Sequence, residues 1–388
     1  MNNPSSSRFD VIIIGAGSVG VPLAFNLAAS GLKTLVLDQA HSIGQGSNKK
    51  AIGGVRATHS DPAKISICLR SLEIMRSWQT TYGDDIQWHQ GGYSFVAYRQ
   101  QEETLLKALV ENQIKMGLNI AYLNKAQLLN VIPGLNPQGL LGGSCSPEDG
   151  YCSPLLFLQG CYQQAIHHGA QFHFNEKVTG LLIDKDKVYG VQTNRTAYSA
   201  SIVINAAGAW ANQIANFAGA SIEVHPDSHE AGITEPVEKF LEPMIVDIRP
   251  ITRSENFYFC QHTTGQIIFC LTPSPSIKGF DERATSEFLP LASQRLLTLM
   301  PRLKNIRVRR TWRGLYPMTP DGFPIVGWCK DVAGFFFAAG MCGQGLMLGP
   351  GLAELITRTL IETPSRQDEE ILSYFSPYRS FNTQEQLK

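Results

Sequence analysis

Residues 9–20 read F-D-V-I-I-I-G-A-G-S-V-G, and this stretch decides the fold. Residues 11–14 are an unbroken apolar run after Phe9, which predicts a strand buried on both faces. Gly15, Gly17 and Gly20 follow in G-x-G-x-x-G spacing. The first glycine permits a tight turn, the second lets the backbone approach a pyrophosphate, and the third lets the next helix pack close to the strand. That helix is predicted over 21–30, with Gly31 as its cap. Its free N–H groups and positive dipole end face the phosphates. A second buried strand is predicted over 33–37 and closes on Asp38. An acid eighteen residues past Gly20 stands where one binds a ribose hydroxyl. With 35 glycines in the chain such spacings also arise by chance. The plain alternative is an ordinary βα turn, which leaves the acid unexplained.

The chain has 388 residues, enough for two domains or for one large domain with an inserted module. Hydrophobic residues at 43% and charged residues at 17% supply ample core. The formal net charge is zero, so no global field draws the chain to nucleic acid or to an anionic membrane. Residues 1–7 are polar and hold no apolar signal core, so the expected location is cytoplasmic, or at a membrane only through a partner. The apolar stretch 332–348 is broken by four glycines and Gln344 and reads as strand, turn and helix rather than as a membrane span. Eight cysteines include no C-x-x-C, which fits small buried hydrophobes in a reducing compartment. Cys260 and Cys270 flank a turn and are a candidate pair across a hairpin.

Residues 39–56 form a long glycine-rich segment directly after the dinucleotide turn, placing it along the cofactor. Helices are predicted over 62–78, 102–116, 125–131, 155–168, 210–219, 285–300 and 349–361. Strands are predicted over 88–98, 171–174, 178–183, 188–193, 201–205, 245–251, 256–260, 266–271, 307–312 and 335–338. Residues 142–154 read as a loop, and the tail after Pro364 as frayed. Three glycine- or alanine-rich strand ends, at 15–20, 206–208 and 340–345, make sense if one cofactor domain is assembled from three separate segments. The β-rich pieces between them then form a second domain, inserted twice. A nicotinamide-dependent dehydrogenase shares only the first of these motifs.

Further marks extend the pattern: G-G-V-R at 53–56, P-E-D-G-Y at 147–151, N-A-A-G-A-W at 205–210, G-L-Y-P-M-T-P-D-G-F-P-I-V-G at 314–327 and F-A-A-G-M-C-G-Q-G-L at 337–346. Together they resemble the D-amino-acid oxidase superfamily of FAD enzymes over nearly the whole chain. The resemblance is strongest to glycine and sarcosine oxidases and to the β subunits of heteromeric sarcosine oxidase and proline dehydrogenase. It implies an α/β fold: a Rossmann-like FAD-binding domain from residues 1–88, 147–220 and 306–388, plus a β-rich, α+β substrate domain from 89–146 and 221–305.

It implies non-covalent FAD, with Gly15, Gly17 and Gly20 on the pyrophosphate beside Ser18 and Val19. Asp38, with Gln39, falls on the adenosine ribose, Val178 near the adenine, and Ala207, Gly208 and Trp210 on the pyrophosphate side. Gly46, Ser47, Lys49, Lys50, Ala51, Ile52 and Gly53 run toward and beside the isoalloxazine. Gly314, Gly340, Gly343, Gln344, Gly345, Leu346 and Met347 close the other side, where a helix N-terminus stabilises negative charge. FMN enters only in a complex with a partner subunit. The implied reaction removes a hydride from the C–N bond of a small amino or secondary amino acid, sarcosine-, glycine- or proline-like. Electrons then pass to oxygen, or to a partner subunit or quinone. The chain departs from its relatives at Tyr316, where glycine oxidases carry an arginine, and at Met347, where monomeric sarcosine oxidases carry a lysine. These departures lean toward a subunit of a hetero-oligomer.

An amino-acid carboxylate needs a cation, ideally an arginine fork. Arg56 is the first candidate, against a structural ion pair or a flavin contact. His59 is second, against an ordinary histidine. Tyr258 and Tyr316 are candidates for lining the pocket and binding the carboxylate through their hydroxyls, against plain core tyrosines. Lys278 is aligned loosely with an oxygen-activating lysine, against a solvated loop residue. His225 and His229 have i, i+4 spacing, but Pro226 argues against a helix there, and no metal site is expected. The arginine-rich run 302–313 reads as a solvated strand and loop, or as a dock for an acidic partner.

Overall fold

In the computed structural model, which describes residues 8–387, two large sheets organise the chain. Residues 1–7, on which the expectation about secretion rests, lie outside the described residues. The first sheet runs Ile325–Trp328, Phe335–Ala339, Ala197–Asn205, Arg8–Ile14, Thr34–Leu37, Gln171–His173. Its four central strands are parallel, with Ile14 level with both Leu37 and Asn205, and Asn205 level with Phe337. The hairpin Val178–Asp184 and Lys187–Thr193 extends Ala197–Asn205 antiparallel. Val11 and Ile13 pack into one apolar layer with helices Gly20–Ala29, Pro62–Tyr82, Pro154–His167 and Gly345–Ile361. Ile12 and Ile14 pack into a layer on the opposite face with Val203, Phe335 and Phe337. Both faces are buried, which explains the unbroken V-I-I-I run.

The second sheet runs Val308–Met318, His225–Pro236, Gln266–Pro273, Ser254–Gln261, Met244–Asp247, Tyr93–Ala97, Gly142–Ser146, Ala121–Asn124. It is antiparallel except where Met244–Asp247 meets Tyr93–Ala97. Phe257, Phe259, Phe269 and the helix Phe288–Leu299 form an apolar cluster on one side of it. The other face turns toward the first sheet. The long helix Pro62–Tyr82 starts on Asp61, whose carboxylate accepts from the Ala63 and Lys64 N–H groups, and ends on Gly83 at φ 83°.

Several expectations are corrected. Residues 142–154 contain two strands, Gly142–Ser146 and Gly150–Tyr151, formed by pairing despite weak β-propensity. The strand expected over 201–205 is Ala197–Asn205. The helix expected over 210–219 shrinks to a short 3₁₀ turn and Ala211–Asn216. The strand His225–Pro236 was not foreseen, and the strand expected over 307–312 continues to Met318. That strand belongs to the second sheet, so the sheets do not divide at residue 306. The tail is not frayed: Ser365 and Asp368 form a capping box for the helix Arg366–Phe375, which buries Ile371 and Phe375. Stretch 332–348 is a buried strand, turn and helix start, and among the described residues no helix is long and apolar enough to cross a membrane.

Candidate active site

A long cleft crosses the carboxyl ends of the parallel strands, the place where open α/β sheets bind ligands. The chain turns sharply at Gly15, φ 113°, whose N–H donates to the Leu37 carbonyl at 2.8 Å. A Cβ there would stand 2.5 Å from the Ala206 carbonyl oxygen, and one at Gly20 would stand 1.9 Å from the Gly15 oxygen. Only glycine lets the three strand ends and the helix meet this closely. Gly17, by contrast, has nothing within 4 Å of a built Cβ and faces the open cleft. The Asp38 carboxylate accepts from the Ala16 N–H at 2.7 Å and the Ala40 N–H at 2.8 Å, so the glycine loop itself holds the acid at the cleft wall.

The cleft runs from Val178 past the glycine loop and Trp210 to Trp312, Gly314 and Tyr316. Ser18, Val19, Gln39, Gly46, Ser47, Lys50, Ala51, Ile52, Ala207, Gly208, Gly343, Gly345 and Leu346 complete the expected part of its lining. A glycine turn, an acid and a long cleft in line fit an extended dinucleotide. Three expected residues stand outside both this cleft and the cavity adjoining it. Gly20 supports the loop from below. Lys49 is exposed and donates to Gln45 at 2.9 Å, and Gly340 packs on Thr319 behind the turn.

At the Trp312 end the cleft meets a second cavity of about 450 Å³, within the range of small-molecule sites. Ala51, Ile52, His229, Tyr316, Gly343 and Leu346 line both. Gly53, Arg56, Tyr258, Gln344 and Met347 line only the second. Strand alternation explains the shared wall. His229 is paired with Gly314, Asp227 with Tyr316, and Tyr258 with Cys270, so one sheet face presents Asp227, His229, Tyr316, Cys270 and Tyr258 together. The Tyr258 and Tyr316 hydroxyls are 2.8 Å apart. Burial pushes both well above their ordinary range, so both stay protonated. The His229 ring stacks on Tyr316 at 3.8 Å between centroids, 21° apart. Its Nε2 has no hydrogen-bond partner and lies 3.7 Å from the Asp227 carboxylate.

Arg56 is 5% exposed on the cavity wall. Its guanidinium donates to the Thr58 and Leu387 carbonyls and lies 5.3 Å over the Phe95 ring, so part of its fork is already engaged within the chain. Asp149 anchors the loop behind it, accepting from the Ala57 N–H at 2.9 Å and the Thr58 hydroxyl at 2.6 Å. Burial pushes the Asp149 carboxyl up to about 6.

His59, expected as a carboxylate-binding group, lies outside both cavities with none of its surface exposed. Burial first, then the positive charges of Arg56 and Lys64, push it down to about 3, so it is neutral and offers no cation. Lys64 is buried too and pairs with Glu385 at 3.0 Å.

Lys278 sits on an exposed loop outside both cavities. His225 is exposed beside Glu223, whereas His229 is buried four strand residues away. At ~3.3 Å per strand residue the two histidines are too far apart to share an ion, and no group of ligands suited to a metal occurs among the described residues. Cys260 is level with Ile268 and Cys270 with Tyr258, so the two cysteines do not face each other, and both are free. In the arginine run Arg309 and Arg310 are exposed, but Arg313 is buried and donates to the Arg283 carbonyl at 3.0 Å.

Sequence reading missed His229 as a site residue, and Lys64, Asp149 and Glu385 altogether. The alternation of Asp227, His229 and Ala231 opposite the 314–316 motif is the signal that would have exposed the first. Asp149 lay within a quoted motif.

The family described as DAO, FAD dependent oxidoreductase, matches residues 10–359. The crystal structure of L-proline dehydrogenase from P. horikoshii superimposes with a TM-score of 0.90 at 29% identity, covering 96% of this chain and 98% of that one. The bifunctional protein ThiO/ThiG of Trichormus variabilis is 28% identical over 97% of this chain and 55% of its own length. Mitochondrial sarcosine dehydrogenase of Mus musculus is 23% identical over 96% of this chain and 42% of its own length. The chain thus spans about half or less of these two longer relatives. With the family matched over most of its length and the cleft built to receive a dinucleotide, the chain belongs to the DAO family of FAD-dependent oxidoreductases.

Proposed function

We propose that this chain oxidises the C–N bond of a small amino or secondary amino acid, sarcosine-, glycine- or proline-like, to an imine that water then hydrolyses. One observation carries the reading: the dinucleotide cleft opens, at its Tyr316 end, into a cavity holding two neutral hydroxyls and one fixed guanidinium. Two of the similar proteins are named for proline and sarcosine, both secondary amino acids, which supports the substrate class. FAD, when bound, supplies the acceptor for the two electrons and hydrogen leaving the substrate carbon as a hydride.

The chain's own residues do the placing. In the Tyr258–Tyr316 pair one hydroxyl donates to the other, which donates in turn to the substrate carboxylate, and Arg56 adds positive charge from the wall. His229 stacks on Tyr316 and holds its ring against Gly343, where a Cβ would come within 2.0 Å of it. The apolar faces of Phe95, Val246 and Leu346 keep the site dry. Turnover with an artificial electron acceptor across primary, N-methyl and cyclic amino acids tests this. The expected product is the matching oxo acid, a cyclic imine or, where an N-methyl carbon is oxidised, formaldehyde and the demethylated amino acid, and absence of any such product from every substrate overturns it.

The partly engaged Arg56, with Tyr316 and Met347 in place of cationic residues, favours a second reading: a β-type subunit of a heteromeric dehydrogenase, weakly active alone. There a partner subunit or quinone replaces oxygen as acceptor, and the partner brings any FMN. A cytoplasmic setting belongs to either reading. Co-purification from native extract separates the two, since a lone chain with full turnover contradicts the second.

A further inference from the structure

Resting on the proposed function, we propose that residues 384–386, held in place by Leu387, form the rim of the substrate cavity and that Gln386 limits how large a substrate the cavity admits. After the helix Arg366–Phe375 the chain returns across the molecule and is tied down at successive points. Arg379 clamps Asp321 at 2.7 and 2.9 Å. The Glu385 N–H donates to the Asp321 carbonyl at 2.9 Å. The Glu385 carboxylate accepts from the Ser60 N–H at 3.0 Å and the Ser60 hydroxyl at 2.8 Å, and pairs with Lys64 at 3.0 Å. Leu387 is 1% exposed in the apolar cluster with Tyr93 and Phe95, and its carbonyl accepts from Arg56.

The segment therefore alternates. Glu385 and Leu387 point in and are buried, while Gln384 and Gln386 point out, exposed, at the cavity lining. Ordering each residue costs about 1–2 kcal/mol, so a polar terminal stretch stays in place only because these anchors hold it. Removing Glu385 from Lys64 would strand a fully buried charge, which makes the segment a fixed wall rather than a loose flap. Gln386 lies between the two inward anchors. Only its backbone N–H is used by them, donating to Ser60 at 3.1 Å, so its side chain is free to be changed without releasing the wall.

The test compares the FAD-loaded wild type with Gln386→Ala and Gln386→Trp. Anaerobic flavin reduction by glycine derivatives of increasing N-alkyl length gives the second-order rate constant of reduction, taken as a ratio for bulky over small substrates. Melting-temperature shifts with acetate, butyrate and cyclohexanecarboxylate give a second, turnover-free size series. The expected result is a ratio raised in the alanine variant and lowered in the tryptophan variant. The two should differ on the order of tenfold, as expected for a changed pocket wall, with the carboxylate series moving the same way. An identical size order in all three proteins overturns the proposal. If no amino acid reduces any of the three, the proposed function fails, and the carboxylate series alone decides the rim. Should the tryptophan variant not fold, the alanine variant decides.

Discussion

His59 offers a quantitative test of the buried ionic cluster behind the substrate cavity. It is fully buried beside two cations and is held near 3 instead of its ordinary 6.5. The unfolded chain takes up a proton at His59 once pH falls below about 6.5, while the folded chain refuses it until about 3. Stability is therefore fully present above pH 6.5 and is lost as pH falls toward 3. Over that whole window the loss reaches roughly 5 kcal/mol, and between pH 7.5 and 5.5 it is about 1 kcal/mol. Asp149 acts in the opposite sense. Its carboxyl is raised to about 6, so the folded chain holds that proton more tightly and gains stability as pH falls through 6. Wild-type stability alone mixes the two, but comparison with His59→Asn cancels Asp149. Urea unfolding of both proteins at pH 7.5 and 5.5 measures the gap. The variant should be the less stable at pH 7.5, with the gap narrowing by about 1 kcal/mol at pH 5.5. A gap that stays constant or widens on acidification would mean a protonated His59 paired with Glu385, and would refute the reasoning.

Three further perturbations address the two cavities. Gly17→Val should fold, since a Cβ there meets nothing, yet should lose flavin, read from the visible absorbance of the purified protein; Gly20→Ala should instead lose soluble protein, its Cβ driven into the Gly15 carbonyl at a cost of roughly 1–3 kcal/mol or more. Tyr316→Phe removes one donor of the hydroxyl pair and should raise KM about fivefold with a smaller change in kcat, the worth of one net hydrogen bond; unchanged KM would remove that tyrosine from the carboxylate site. Gly343→Ala, at φ 78° and pressed on the Tyr316 ring, should cost more activity than Tyr316→Phe while flavin is retained.

The first sheet was legible because its strands are apolar on both faces and end in small residues, signals that survive without tertiary context. The strand His225–Pro236 was not. Its stretch D-S-H-E is polar yet buried because it faces the site, with Asp227 accepting from the Ile277 N–H and Glu230 from Thr285, so hydrophobic periodicity fails there. Residues 142–146, G-G-S-C-S, carry little strand preference and become a strand only by lying between Tyr93–Ala97 and Ala121–Asn124. Order in 376–387 comes from Asp321, which holds Arg379 and the Glu385 N–H, and from Ser60, Lys64 and Arg56, more than 300 residues earlier, which no local reading reaches. The glycine turn, Asp38 and Tyr316 were marked from motifs, and Tyr258 from its place in the strand expected over 256–260. The error at His59 was one of environment: full burial, and then two neighbouring cations, remove its charge.

A small amino acid should bind at the Tyr316 junction, within reach of the flavin. Anaerobic titration of the FAD-loaded protein with glycine, sarcosine, proline and larger amino acids tests it most directly. At least one N-methyl or cyclic amino acid should bleach the visible flavin absorbance, and Tyr316→Phe should require a higher concentration for the same bleaching. A flavin that dithionite reduces fully but that no amino acid bleaches would contradict it.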